Sequence, residues 1–321
     1  MFTRRQALTL LAGTAAALTL PAGARAQDTA TEFRIGWQKG GVFALAKHSG
    51  AIEARLAPRG ISVTWAEFTS GPPLLEALGA NALDFGSTGD VPPLFAQAAG
   101  GDLVYVAASA GSLDGSAILV KQDSPIQSIA DLKGRKVAFK RGSSAHNFTV
   151  KALRSAGLGL GDITPLDLGP PDAAPAFANN QIDAWVIWDP YYAIAAQDPD
   201  TRVLATTEGI VDSYSFYQAN GSYAKTNPTI VSEVIDELRK VGAAAQADLD
   251  ATAEAISASN GVPPPIVRIT LGRKGADLGS IIPLNDEIIA YQQALADEFF
   301  DLGIIPRQLT ISDIVWYPPT L

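Results

Sequence analysis

The sequence predicts an α/β protein of two lobes, and three observations point that way. Short apolar runs alternate with helical periodicity along most of the chain, as strands covered by helices require. The 321 residues are enough for two domains, yet no Pro/Gly/Ser-rich linker divides them in sequence. Lobes joined by crossing strands, the second inserted into the first, satisfy both facts. Four strand ends, finally, carry small and polar residues, and ligands of open α/β sheets bind beyond such carboxyl ends.

The first stretch reads as an export signal. Arg4-Arg5 precedes an apolar run from Leu8 to Leu20, which ends at Pro21 and then Ala24-Arg25-Ala26. A basic start, an apolar segment and an A-x-A site predict a signal peptide over residues 1–26, cut after Ala26. The run is too short to span a membrane core, which takes about 20 residues. Thr3-Arg4-Arg5-Gln6-Ala7-Leu8 resembles a twin-arginine signal, with Ala7 where Phe is commoner; the general secretory route is the alternative.

The mature chain opens with a strand at Phe33–Trp37, a helix at Val42–Leu56, a strand at Ile61–Phe68, a short helix at Leu74–Ala80 and a strand at Leu83–Gly86. Pro92–Ala99 is helical, its prolines confined to the first turn, where a missing N–H costs little. Leu103–Ala108 and Ala117–Val120 are strands, Ile129–Leu132 one helical turn, Lys136–Phe139 a strand and Ala145–Ala156 a helix ended by Gly157. Strands at Ile163–Leu168, Asp183–Trp188 and Arg202–Ala205 enclose helices at Asp172–Ala178 and Pro190–Ala196. From Asn227 the chain is mostly helical, over Pro228–Asp248, Ala251–Ala258, Pro263–Leu271 and Asn285–Leu302. Asp114-Gly115 and Ser213–Gly221 are the expected crossings, giving one lobe of residues 27–114 plus 216–321 and another of 115–215.

Composition removes most chemistries. The chain has no cysteine, which excludes disulfides, a thiol nucleophile, cysteine-ligated metals and a lipidated cysteine. Two histidines, His48 and His146, are too few for a His-rich metal site. Lys+Arg number 24 against 33 Asp+Glu, a net charge of −9 that becomes −12 once Arg4, Arg5 and Arg25 leave with the signal. No basic nucleic-acid surface is expected. A free periplasmic monomer that does not itself span the membrane, without cofactor or metal, is the natural reading.

The four strand ends are more specific. Gln38-Lys39-Gly40-Gly41 follows the first strand as a tight turn into a helix, an ordinary βα turn or a place for close backbone approach. Ser87-Thr88-Gly89-Asp90 follows the third; Asp90 is placed to cap the helix that Pro92 and Pro93 start, while Ser87 and Thr88 remain as donors. Lys140-Arg141-Gly142-Ser143-Ser144-Ala145-His146-Asn147 leads into a helix whose first N–H groups attract oxyanions. It lacks the Lys-Ser/Thr ending of a P-loop, and His146 is either packed or a ligand contact. Trp188-Asp189-Pro190 closes the fourth. Trp188 can wall an apolar ligand part, and Asp189 either caps the next helix or faces the cleft. Together these ends suggest a neutral cradle of hydroxyls and amides for a small tetrahedral oxyanion with an apolar tail. No Gly-x-Ser-x-Gly elbow or nucleophile–base pair is present.

These segments resemble those of the aliphatic-sulfonate-binding proteins that feed ABC importers. The likeness rests on Ile35-Gly36-Trp37-Gln38-Lys39-Gly40, on Leu83 through Pro93, on Asp131-Leu132-Lys133-Gly134 and on Gly142 through Asn147. Ile182-Asp183-Ala184-Trp185, Trp188-Asp189-Pro190-Tyr191-Tyr192, Ser215-Phe216-Tyr217 and the stretch from Gln292-Gln293 to Ile305-Pro306 extend it over nearly the whole mature chain. It implies a periplasmic-binding-protein fold of the venus-flytrap kind, type II-like, with two mixed sheets, flanking helices and a cleft between lobes. It implies a sulfonate held by Gln38, by Ser87-Thr88-Gly89 and by Gly142-Ser143-Ser144 with His146. Trp188 would face the ligand body, and Asp90 and Asp189 match cleft-lining positions.

As partners the resemblance implies an alkanesulfonate and a membrane permease with its ATPase. Two departures stand out: Trp37 replaces the usual Tyr, and Arg273-Lys274-Gly275-Ala276-Asp277 lacks the aromatic that relatives often carry after the basic pair. Sister ligands on the same fold, namely taurine, nitrate or a pyrimidine precursor, are the alternative. An amine in taurine would need a carboxylate, which Asp90 or Asp189 could supply. The alternative of another class is an enzyme acting on a small anion; the related deaminases and desulfinases depend on a cysteine that this chain lacks.

Overall fold

Phe33, Ile35 and Trp37 alternate into a fully buried layer, and the strand they form starts the first of two sheets. The computed structural model describes residues 28–318; the expected signal peptide lies outside them. The first half runs β1 (Glu32–Trp37), α1 (Gly41–Ser49), α2 (Ala51–Leu56), β2 (Ser62–Glu67), α3 (Gly71–Gly79), β3 (Phe85–Gly89), α4 (Val91–Ala98) and β4 (Val104–Ala110). Then come β5 (Ser116–Lys121), β6 (Lys136–Phe139), α5 (Ser144–Ser155), β7 (Thr164–Asp167), α6 (Pro170–Ala178), β8 (Ala184–Trp188), α7 (Tyr191–Ala195) and β9 (Thr201–Thr206). The chain returns through β10 (Tyr214–Ala219) and ends in α8 (Gly221–Thr226), α9 (Pro228–Ala245), α10 (Leu249–Asn260), α11 (Pro264–Leu271) and α12 (Asp286–Asp301).

The two five-stranded sheets have orders β2-β1-β3-β10-β4 and β7-β6-β8-β5-β9. Each is parallel through its first three strands and antiparallel at the fourth, β10 in one and β5 in the other. Those two strands are the ones reached by crossing between sheets. The crossings run side by side: Gly111 N–H donates to Ser213 O at 2.8 Å, and Thr207 Oγ1 donates to Leu113 O at 2.8 Å. Apolar clusters cover both faces of each sheet, so the sheets are rigid platforms and the crossings are the thin part. No helix among the described residues is long and apolar enough to cross a membrane.

The α/β class and the two mixed sheets agree with the sequence reading, and most elements fall where expected. Three do not. The helix expected over Val42–Leu56 is two, because Gly50 sits at φ 63° between them, a left-handed conformation that glycine takes without steric cost. Ser213–Gly221, read as a crossing, contains β10, whose short polar-aromatic run Tyr-Ser-Phe-Tyr-Gln lacks the aliphatic alternation that marks strands. The helix expected to reach Asp248 stops at Ala245, since the Asp248 side chain accepts from the N–H groups of Asp250 and Ala251 and starts α10.

Candidate functional site

Between the sheets lies a cleft of about 350 Å³, within the size range of small-molecule sites. Its lining includes Gln38, Ser87, Thr88, Gly89, Ser143, Ser144, Trp188 and Asp189. The structure therefore brings together eight of the eleven residues singled out from sequence, drawn from the ends of β1, β3, β6 and β8. Asp90, Gly142 and His146 are not on that lining.

Gln38 follows β1 and donates from Nε2 to Ser87 O at 3.2 Å, which fixes the amide beside the end of β3 and leaves it a second N–H. Thr88 Oγ1 accepts from the buried Gln218 Nε2 at 3.2 Å. Across the cleft, Gly142 takes φ 76°, turning the chain so that α5 starts at the cleft. In that first turn the N–H groups of Ser144 and Ala145 precede any intrahelical acceptor, and the helix dipole adds positive potential there. Ser143 Oγ donates to Lys140 O at 2.7 Å, so its hydroxyl proton is engaged within the loop. Ser144 stands against the other sheet: a Cβ on Gly89 would collide with Ser144 Oγ and lie 3.1 Å from its Cβ. The two donor-bearing segments thus face each other at contact distance.

His146 is buried behind this face. Its Nδ1 accepts from Gly142 N–H at 3.3 Å, and its ring lies 5.1 Å from Phe139, 5.3 Å from Phe299 and 6.3 Å from Phe95. Burial, with the charge of Arg141, pushes its pKa down to about 4, so the imidazole is neutral. It is the packed histidine of the two readings, and it shapes the Gly142 turn.

Asp90 does not cap α4: no side-chain capping bond is present, and the carboxylate is fully buried. Its Oδ2 accepts from Asn147 Nδ2 and from Tyr291 OH, each at 2.7 Å, while its carbonyl accepts from Gln292 Nε2. Burial lifts the carboxyl above its ordinary range, the hydrogen bonds from Tyr291, Asn147 and nearby backbone opposing the lift. Local sequence pointed to a cap because helix-start patterns carry no information about α12, which supplies Tyr291.

Asp189 does both things left open for it. Its Oδ1 accepts from Ala193 N–H at 3.0 Å in the helix that follows, and its carboxylate borders the cleft. There it is gripped by Arg273, from Nε at 2.7 Å and Nη2 at 3.2 Å. Burial raises the Asp189 carboxyl and the Arg273 hydrogen bonds and charge pull against that rise. The guanidinium also stacks over Tyr192, 4.0 Å from the ring centroid.

The rest of the lining was not legible. Ile256, Val267, Leu271 and Leu278 form an apolar wall from α10, α11 and the loop beyond, with Phe43 of α1 beside them. Ser109, Ser112, Ser213 and Ser215 line the crossing strands, with Tyr214 and Tyr217 from β10. Trp37 lies in the core beneath Lys47, off the lining.

A family model described as NMT1/THI5 like matches residues 57–250, more than half of the chain. The chain belongs to the NMT1/THI5-like family. A curated protein of Escherichia coli (strain K12), named "Putative aliphatic sulfonates-binding protein", is 40% identical to this NMT1/THI5-like chain over 297 residues, 92% of each. The alkanesulfonate-binding protein SsuA from Xanthomonas axonopodis pv. citri, solved bound to MOPS, superposes with a TM-score of 0.84 at 39% identity, covering 89% of this chain and 98% of its own. The periplasmic aliphatic sulphonate binding protein SsuA from Escherichia coli gives 0.80 at 39% identity over 91% and 94%. The shared architecture is the periplasmic-binding-protein fold.

Proposed function

We propose that this chain is the substrate-binding component of an ABC importer, capturing aliphatic sulfonates in the periplasm and handing them to a membrane permease driven by an ATPase. It is a binding protein and not an enzyme, as are the similar proteins named above. One observation carries the ligand class: a cleft lined by neutral donors from the strand ends of both sheets, with apolar side chains of α10 and α11 on the same lining. The head group would be held by the Gln38 amide, the Ser87-Thr88-Gly89 segment, and Ser144 with the free N–H groups opening α5. Trp188 would face the ligand body, with the wall of Ile256, Val267 and Leu271 receiving the tail. Gly142 and His146 act behind this face by setting the turn. Nitrate, having no tail, would leave that wall unused.

The mechanism is closure. Ligand contacts donors from both sheets at once in the closed form, and this differential affinity shifts the population toward it. Flexure falls on the two crossings, with the first sheet and its helices moving against the second. Each neutral donor to a charged acceptor contributes roughly 1.5–3 kcal/mol. The chain is expected to reach the periplasm through the signal over residues 1–26, on the twin-arginine or the general secretory route, and to act as a monomer.

A thermal-shift screen of residues 27–321 against short and long alkanesulfonates, sulfate and nitrate tests the reading. A micromolar ligand at millimolar concentration stabilises by about 4 kcal/mol. The expected result is a shift with tailed sulfonates and none with nitrate; no shift with any sulfonate overturns it.

A further inference from the structure

We propose that Arg273 is a specificity-determining residue: by occupying the Asp189 carboxylate it leaves the cleft wall beside Trp188 without a free anion for a ligand ammonium, so the site favours alkanesulfonates over aminoalkanesulfonates. The inference deepens the sulfonate reading and rests on it. Among the described residues, two carboxylates line the cleft, Asp189 and Asp277. Asp277 is exposed, so solvent screens its charge, and its Oδ1 accepts from two neutral donors, Gly279 N–H at 2.8 Å and Gln246 Nε2 at 3.3 Å. Asp90, the other acid near the site, is sealed away with no exposed surface. Asp189 is the one acid placed to meet a tail beside Trp188, and both of its oxygens are engaged by Arg273 with both side chains only 12–13% exposed.

Arg273 is itself held in place. Its guanidinium lies on Tyr192, and the neighbouring Lys274 N–H donates to Asp114 Oδ1 at 2.8 Å, anchoring the loop to a crossing strand. Lys39, also on the lining, donates to Asn260 O at 2.8 Å, so the fixed cations near the cleft repel a second one. A ligand ammonium beside Trp188 would therefore be desolvated without a free counter-ion, which is a penalty a methyl group in the same place does not meet.

The test compares taurine with 1-propanesulfonate, which have the same number of non-hydrogen atoms beyond the sulfur and differ by ammonium for methyl. Calorimetry on the wild-type chain is expected to give at least about a 10-fold preference for 1-propanesulfonate. Arg273→Gln frees Asp189 and should narrow that ratio about 10-fold, Arg273→Lys should keep most of it, and Arg273→Gln with Asp189→Asn should restore it. Equal affinities in the wild type, or an unmoved ratio in a folded Arg273→Gln variant, overturn the assignment; should that variant not fold, the wild-type ratio and Arg273→Lys still decide. Failure of the wild type to bind either compound is a different outcome, for it removes the sulfonate reading itself.

Discussion

Asp90 and Asp189 occupy equivalent places in the two sheets, each following a strand that ends at the cleft, with a proline directly after Asp189 and one residue further on after Asp90. Their surroundings differ completely. Asp90 is buried among neutral donors from both halves, Asn147 of α5 and Tyr291 of α12, with its second oxygen unpartnered among the described residues. Asp189 meets a guanidinium in a loop from the opposite half. One flank of the cleft is thus tied by neutral hydrogen bonds to a buried acid, the other by an ion pair at the rim. An acid at the end of a cleft strand thus serves as a fixed seam on one side and as a charge-neutralised wall on the other, and distant segments decide which.

The largest effect is expected at the seam. Asp90→Ala strands the Tyr291 hydroxyl and the Asn147 amide in the interior and should cost about 2–4 kcal/mol in urea unfolding. A loss no greater than that of an average surface substitution would break the distinction between the flanks.

The next concerns pH at the same seam. The folded pKa of His146, about 4, lies below its ordinary 6.5. The neutral ring therefore stabilises the fold fully above pH 6.5, and that contribution is lost as pH falls toward 4, by about 2 kcal/mol at pH 5. Asp90 acts with the opposite sign, since its raised carboxyl takes a proton more readily folded than unfolded. His146→Phe should flatten the loss of stability between pH 7 and 5, and Asp90→Asn should steepen it. Unfolding curves at the two pH values, with the same slope in all three proteins, would contradict both assignments.

Between the flanks, Gly89→Ala places a methyl against Ser144 and should weaken sulfonate binding about 10-fold by hindering closure, read by calorimetry, with the unfolding midpoint nearly unchanged. The smallest effect is expected outside the cleft. Glu298 bridges Lys151 and Arg154 across the halves, both partly exposed, and Glu298→Gln should cost only about 0.5 kcal/mol.

Much of this was legible in the sequence. Strand ends announce themselves through turn chemistry, and Gly142-Ser143-Ser144 before a helical period marks a helix start wherever it sits. The apolar wall of Ile256, Val267 and Leu271 was not legible, because an amphipathic helix reads alike whether its inner face meets core or cleft. Asp90 and Asp189 show the same limit in polar form: a carboxylate's partner three or four elements away leaves no local trace. The strand Tyr214–Ala219 was hidden for a related reason, its pattern being set by the cleft it borders.

The central claim is that neutral donors from both sheets hold a tailed sulfonate. Titration calorimetry of residues 27–321 with 1-butanesulfonate, alongside the Ser144→Ala and Gln38→Ala variants, tests it most directly. Saturable binding by the wild type and at least about a 10-fold loss in each variant are expected, with folding intact. Undiminished affinity in both variants, or no binding by the wild type, would contradict it.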